Sequence, residues 1–498
     1  MDPANYGLGM SRKPVLACLF AASVSSLLAS CLVPPVEPVA AEQTPLAEGP
    51  LVHMANGIKI GEVKQVSALV WVRLTQHAEA NANGTPFPKR KAKEAQLPDG
   101  ATLAEMQGAV PGVAGDVRVI CSLRGEAKVT LATEWAPVDG DTDFAHTFAL
   151  EELTPGCTYD LVVEGRADAN TITSSRVTGS FRTGPSATTA APASFCVVTG
   201  QEYWRRDDKL RGHLIYGHMK TLSPDFFVNT GDTLYYDKQK PFATTVPLAR
   251  FKWNRFYGME LQREFHRNVG SWFIKDDHDT LKNDCWPGQK YGELTFARGL
   301  ELFREQLPVG DVPYRRVRWG KHLEVWFLEG REFRSSNRAP DGPDKTILGA
   351  VQMKWLRETL AASDATFRVV VSATPIVGPD RKSKKDNHAN ANFKTEGDAL
   401  RQFLASQKQT IVVCGDRHWQ YATKDPVTGL REWCSGPTSD KHAGGFRMSD
   451  RTEMHSYLNI SGGFLHVSVQ EDKDAAKLVL RHYDPRGNIN HEDVLKAQ

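Results

Sequence analysis

The sequence lacks most of the features that assign a chain quickly. Only 8 of its 498 residues are cysteine and none forms a CxxC pair, which excludes a disulfide-stapled scaffold and a zinc ribbon. No apolar run beyond the N-terminal segment is long enough to span a bilayer. An excess of one charge is missing too. Lys and Arg number 61 and Asp and Glu 59, so a net charge of +2 makes no electrostatic case for nucleic-acid binding. Internal repeats and low-complexity blocks are absent from the sequence. What remains is an ordinary globular mixture, 41% apolar and 24% charged, with length for two or three domains.

The N-terminus reads as an export signal. Arg12 and Lys13 supply a basic region, and Val15 to Leu28 an apolar stretch too short for a transmembrane helix. The stretch ends Leu28-Ala29-Ser30-Cys31, which resembles a bacterial lipobox in which Cys31 becomes the lipid-bearing first mature residue. The alternative is an ordinary cleaved signal with Cys31 incidental. Leu32, rather than Asp, follows the Cys, which by resemblance to Gram-negative sorting implies the outer membrane, with the protein in the periplasm or at the cell surface. Ser11-Arg12-Lys13 also weakly resembles a twin-arginine signal, and Met10 is a second candidate start. Five prolines between Pro34 and Pro50 read as an extended tether.

The body divides by texture. From Gly57 to about Thr183 the runs are strand-like: Ser67 to Leu74, Val117 to Leu131, the alternating Phe144 to Leu150, and Tyr159 to Val163 after the turn Leu153-Thr154-Pro155-Gly156. This turn with the closing Phe181-Arg182-Thr183 resembles a fibronectin type III-like sandwich, with Trp71 and Tyr159 as core and corner residues. Gln76 to Gly112 is polar and Gly/Pro-rich, a long loop or lid. Past Pro185, apolar strands (195–200, 225–232, 272–279, 367–373 and 410–418) alternate with helical stretches (247–262, 295–305, 350–361 and 397–406), which predicts an α/β sheet packed with helices.

Three of those strands run into acids and histidines. Asp232 follows Gly231 with Tyr235 three residues on, Asp276-Asp277-His278-Asp279 follows the third strand, and Asp416-Arg417-His418 follows Gly415. Strand ends are where an α/β sheet places ligands. Burying so many like charges together is severe without a cation, and carboxylates with imidazole suit a hard or borderline metal ion.

These motifs, with Asn283, Trp286 and Trp419, resemble the signature of the PhoD-like alkaline phosphatases, among the calcineurin-like metallophosphoesterases. Glu329-Gly330-Arg331-Glu332-Phe333-Arg334 sits where that family has an Asp-x-Arg-x-x-Arg strand end, and Leu348 to Leu356 resembles its Leu-Gly-x-x-Gln-x-x-Trp-Leu helix. The resemblance implies a metallophosphoesterase-type β-sandwich flanked by helices, preceded by an all-β fibronectin III-like sandwich. The expected layout is a signal peptide with lipobox at 1–31, a tether at 32–50, the β-sandwich at 51–185 and the catalytic domain at 190–490.

It implies a centre of two or more metal ions, calcium and iron among them, held by Asp232, Tyr235, Asp277, Asp416 and His418, with Asp232 as the bridge. His278 and Arg417 are the catalytic candidates. Arg331 and Arg334 either bind phosphate or pair with Glu329 and Glu332, and Asn387 and His388 either bind at the site or belong to a solvated loop. One departure stands out: Gly200 occupies the place of the family's iron-binding Cys, so iron loses a ligand unless Gln201, Glu202 or water substitutes. Manganese or zinc then becomes an alternative.

The function expected is a metal-dependent phosphomonoesterase or phosphodiesterase. A sulfatase or other ester hydrolase, and a non-catalytic glycan-binding lipoprotein with a degenerate site, are the alternatives. The expected partners are small-molecule or polymer phosphoesters, with membrane contact only through a lipid anchor, no nucleic acid, and a monomeric state.

Overall fold

Strands that are apolar on both faces need cover on both sides, and two stacked sheets wrapped in helices provide it. The computed structural model describes residues 47–88, 97–471 and 475–497. The export segment with Cys31 and nearly all of the tether lie outside the described residues.

Ala193–Val198, Phe226–Asn229 and Gly270–Phe273 run parallel at the heart of a nine-stranded sheet. Leu323–Phe327, Phe367–Ser372 and Thr410–Cys414 run parallel within a seven-stranded one. The sheets meet through alternate residues: Phe195, Val197, Val228 and Trp272 share one core with Val325, Phe327, Val369 and Val413. The intervening residues point outward. Cys196, Val198, Phe227 and Phe273 pack under the helices Val246–Tyr257, Glu260–His266 and Phe296–Gln306. Trp326, Val370 and Val412 pack under Gly349–Ala361 and Lys394–Ser406. Because parallel strands share a direction, the loops carrying Asp232 and Asp276-Asp277 leave the same edge of the first sheet, and Asp416 follows Thr410–Cys414 in the second.

The long helix expected over 247–262 is two helices, broken at Gly258 and Met259. The early strands do not form a separate sheet pair. Ile58–Gly61, Ala68–Arg73 and Ala145–Leu150 continue the nine-stranded sheet, joined to it where Gly61 pairs with Ser271. Their other face packs on a five-stranded sheet built around Gly115–Leu123, Thr158–Arg166 and Ser175–Arg182. Tyr159 is buried there, and its hydroxyl accepts the Thr154 amide at 2.8 Å. Trp71 lies buried on the opposite side, donating to the Glu305 carbonyl at 2.8 Å. In the long loop, Phe87, Met106 and Ala109 pack on Phe251 of the Val246–Tyr257 helix.

Candidate metal centre

Gly231 and Asp232 make the first turn of the site. Both have left-handed backbone, φ +99° and +55°, and a Cβ at position 231 would come within 2.7 Å of the Asp276 backbone nitrogen. Only glycine permits that approach, and the approach sets Asp232 beside the next strand end. There, Asp276 caps the short helix Asp277–Thr280. Asp279 braces both turns, accepting from the amides of Asp276 (2.8 Å) and Thr233 (3.1 Å). Asp279 is therefore structural; burial, then the charge of Asp232, pushes its carboxyl up to about 8.

Two groups of carboxylates and imidazole result, and Asp232 belongs to both. The oxygens of Asp232 and Asp277 gather with a ring nitrogen of His278, and those of Asp232, Asp276 and Asp416 gather with one another, each set within 4.8 Å. All five side chains are buried. One oxygen each of Asp232, Asp276 and Asp277 is buried without a hydrogen-bond partner. Such orphans are costly, and a cation satisfies them. Burial pushes the Asp232 carboxyl up to about 6 despite the favourable charge of His278, and burial likewise lifts Asp276 well above the usual carboxylate range in spite of Arg331. The donor set, mainly carboxylate with imidazole, fits one or two hard or borderline metal ions.

Around this core, the Tyr235 hydroxyl donates to Asp232 Oδ2 at 3.0 Å and lies 3.3 Å from His418 Nε2. His418 Nε2 is itself 4.0 Å from Asp232 Oδ2. His278 Nδ1 is gripped by Asp237 Oδ1 at 2.6 Å, while Nε2 lies 4.0 Å from Asp277 Oδ1. Burial alone would lower the His278 pKa, but Asp277, Asp232 and Asp237 outweigh it and raise it to about 9. The pocket above the acids encloses about 330 Å³. Its walls carry Arg205, Lys238, Arg381 and Lys384, so a negative floor faces a positive rim.

Of the residues expected at the site, Asp232, Tyr235, His278, Asp416 and His418 line this pocket, and Asp277 lies directly behind. The others are placed elsewhere. Arg331, fully buried, turns its Nε to Asp276 Oδ1 at 2.6 Å and its Nη1 to the Cys285 carbonyl. It fixes one oxygen of a cluster carboxylate and leaves the other free. Arg334 donates to Asn337 and to the Asp386 carbonyl. Arg417 is fully buried between Asp380 (3.3 Å) and Asp416. Asn387 donates to Asp380 Oδ2 at 2.8 Å, and His388 Nε2 meets Glu396 at 2.9 Å. None of these five lines the pocket.

The Gly200 turn has its own geometry. Its φ is +60°, and an added Cβ would press to 3.3 Å on the His418 ring. Of the two side chains that could substitute for a Cys there, Gln201 is turned into the core, accepting from Tyr216, and Glu202 lines the pocket.

Sequence reasoning placed Asp276 in the acidic run but not among the metal ligands, and singled out neither Asp237 nor His442. Asp276 was visible as the first acid of its run. His442, whose ring lies 4.0 Å from that of His418, follows no strand-end signal. Asp237 predicts a clean result. Replacing it with Asn keeps the shape and acceptance of the Asn283 amide, but turns an NH2 donor to His278 Nδ1 and removes the charge behind the ring. Turnover should fall about 10- to 100-fold with bound metal unchanged, as measured by steady-state kinetics beside elemental analysis.

The family model described as PhoD-like phosphatase matches residues 195–457, more than half of the chain. Among solved structures, PhoD is similar at 14% identity and a TM-score of 0.68, with 89% of this chain and 90% of that chain covered. The purple acid phosphatase PPD1 of yellow lupin (Lupinus luteus) is similar at 11% identity and a TM-score of 0.59, with 88% and 74% covered. At such identities these two likenesses concern the fold. No curated protein matches the chain by sequence. The family match takes in the strands and loops that carry Asp232, Asp276, Asp277 and Asp416, and the chain belongs to the PhoD-like phosphatase family.

Proposed function

We propose that the protein is a metal-dependent phosphoester hydrolase whose centre holds two metal ions bridged by Asp232. The observation that carries this reading is that Asp232, which lines the pocket, is shared by two groups of ligand atoms. Asp276 and Asp416 would hold one ion, and Asp277 with the neighbouring His418 the other. When bound, the ions would polarise the phosphoryl group and acidify water for attack.

The chain's own groups do the rest. Lys238, Arg381 and Lys384 on the wall take the non-bridging phosphate oxygens. Arg331 keeps the Asp276 carboxylate oriented. Asp237 holds His278 by Nδ1, so Nε2 presents its proton to the leaving oxygen.

Elemental analysis of purified protein, with a phosphomonoester, a phosphodiester and a sulfate ester offered as substrates, tests the reading. Two metal equivalents and turnover of a phosphate ester are expected. Sulfate-ester turnover alone, or metal-free protein that hydrolyses nothing after reconstitution, overturns it.

The same reading includes export and a lipid anchor at Cys31, motivated by Leu28-Ala29-Ser30-Cys31 and the proline-rich tether. Among the described residues no helix is long and apolar enough to cross a membrane. Cys31→Ala should therefore shift the protein from the membrane fraction to a soluble exported one. Unchanged fractionation would remove the anchor from the reading.

A further inference from the structure

A larger cavity, about 940 Å³, adjoins the metal pocket between residues 379–383 and 445–452. Arg381 and Gly445 line both spaces. The close approach of Gly445 to the Arg381 guanidinium, where a Cβ would lie 3.1 Å from Nη1, puts that cation at their boundary. Arg381 is poorly satisfied. Its Nε is buried without a hydrogen-bond partner, and Asp380 is 3.9 Å away.

The larger cavity carries more positive than negative charge: Arg381, Lys382, Arg447 and Arg451 against Asp380 and Asp450. Both acids are already engaged. Asp380 is turned inward to Arg417 and Asn387, and Asp450 is paired with Arg447 at 3.1 Å. Among the described residues, Lys382 and Arg451 form no ion pair, and Arg451 donates only to backbone carbonyls at 3.4 Å. Another cavity that shares residues with the pocket, beside Trp204, encloses only about 20 Å³. Because Arg381 and Gly445 line both spaces, a substrate whose scissile phosphate lies in the metal pocket can extend past them into the basic cavity.

We propose that this cavity is a second anion subsite, and that the substrate is a phosphoester carrying a second phosphate or equivalent anion, which Lys382 and Arg451 hold, with Arg381 between the two anions, while the scissile phosphate lies above Asp232. The proposal rests on the phosphoesterase reading.

Its test compares hexyl phosphate with hexane-1,6-diyl bisphosphate on metal-loaded protein, in the wild type and in Lys382→Ala/Arg451→Ala. Both side chains are solvent-exposed and outside the metal pocket, so the variant should fold. The wild type should favour the bisphosphate about tenfold in kcat/KM, after allowance for its two equivalent ends. The double variant should lose that preference and keep its rate on hexyl phosphate. Calorimetric titration with each ester measures the same preference as affinity, independent of turnover.

Equal treatment of the two esters by the wild type, or a preference untouched in the variant, overturns the subsite and leaves the phosphoesterase reading intact. Failure to hydrolyse either ester, with no turnover of a phosphodiester offered beside them, overturns that reading instead. The titration then still decides the subsite, by a tenfold tighter binding that the variant loses or by its absence.

Discussion

Asp232→Asn should abolish phosphoester hydrolysis, by a factor on the order of 10³ or more, and should empty the centre of metal in the same step. The expectation follows from position. Asp232 is the one residue common to both ligand clusters, so losing its charge weakens both ions rather than one. The substitution is unusually clean. Asp232 has φ +55°, a conformation that Asn adopts as readily as Asp, so backbone strain does not confuse the result as it would with Ala or Val. The Tyr235 hydroxyl can still donate to the amide oxygen that replaces Oδ2.

Elemental analysis, kinetics and thermal melting should move together. Metal binds only the folded state, so the wild type should melt higher with metal than without, and the variant should show little difference. Full metal content in an inactive variant would deny Asp232 the bridging position. Full activity would deny it any part in the centre. Arg331 sets a useful contrast, because it touches the centre only through Asp276 and Asp277.

The parts legible in the sequence are those decided by short-range physics. Strands apolar on both faces, such as Phe226–Asn229 and Thr410–Cys414, announce a sheet covered on both sides, and the Gly-Asp turns after them announce a site. Helix ends were readable where a side chain marks them, as at Thr295, whose hydroxyl accepts the Arg298 amide. The break at Gly258 and Met259 was not, because apolar residues continue through it.

What the sequence hides is long-range partnership. Nothing local to Gly61 says that it pairs with Ser271 and fuses the early strands to the central sheet. Nothing local to Arg331 says that its guanidinium turns to Asp276 rather than to a substrate. Asp276 and Asp277 are adjacent, and in an extended strand they would face opposite ways. The helical turn capped at Asp276 is what allows both to reach the centre.

His278→Ala should cut turnover on alkyl phosphates by about 100-fold or more while the metal stays bound. Two features of the structure pull against each other here. A ring nitrogen of His278 lies within the cluster of Asp232 and Asp277, as a ligand's would. Yet Nδ1 is held by Asp237 at 2.6 Å, which leaves Nε2 alone to face the pocket, and one nitrogen cannot both bind an ion and give a proton to a leaving oxygen. Leaving-group dependence separates the two roles. A proton donor matters most for a poor leaving group such as an alkoxide and little for a nitrophenolate, which departs unprotonated. As general acid, His278→Ala should be severe on alkyl phosphates and mild on nitrophenyl phosphate, with metal content equal to wild type. As ligand, it should lose metal and lose activity equally on both. Equal losses with metal retained would leave His278 to orient a phosphate oxygen by hydrogen bond, and Asp237→Asn should then weaken substrate binding rather than turnover.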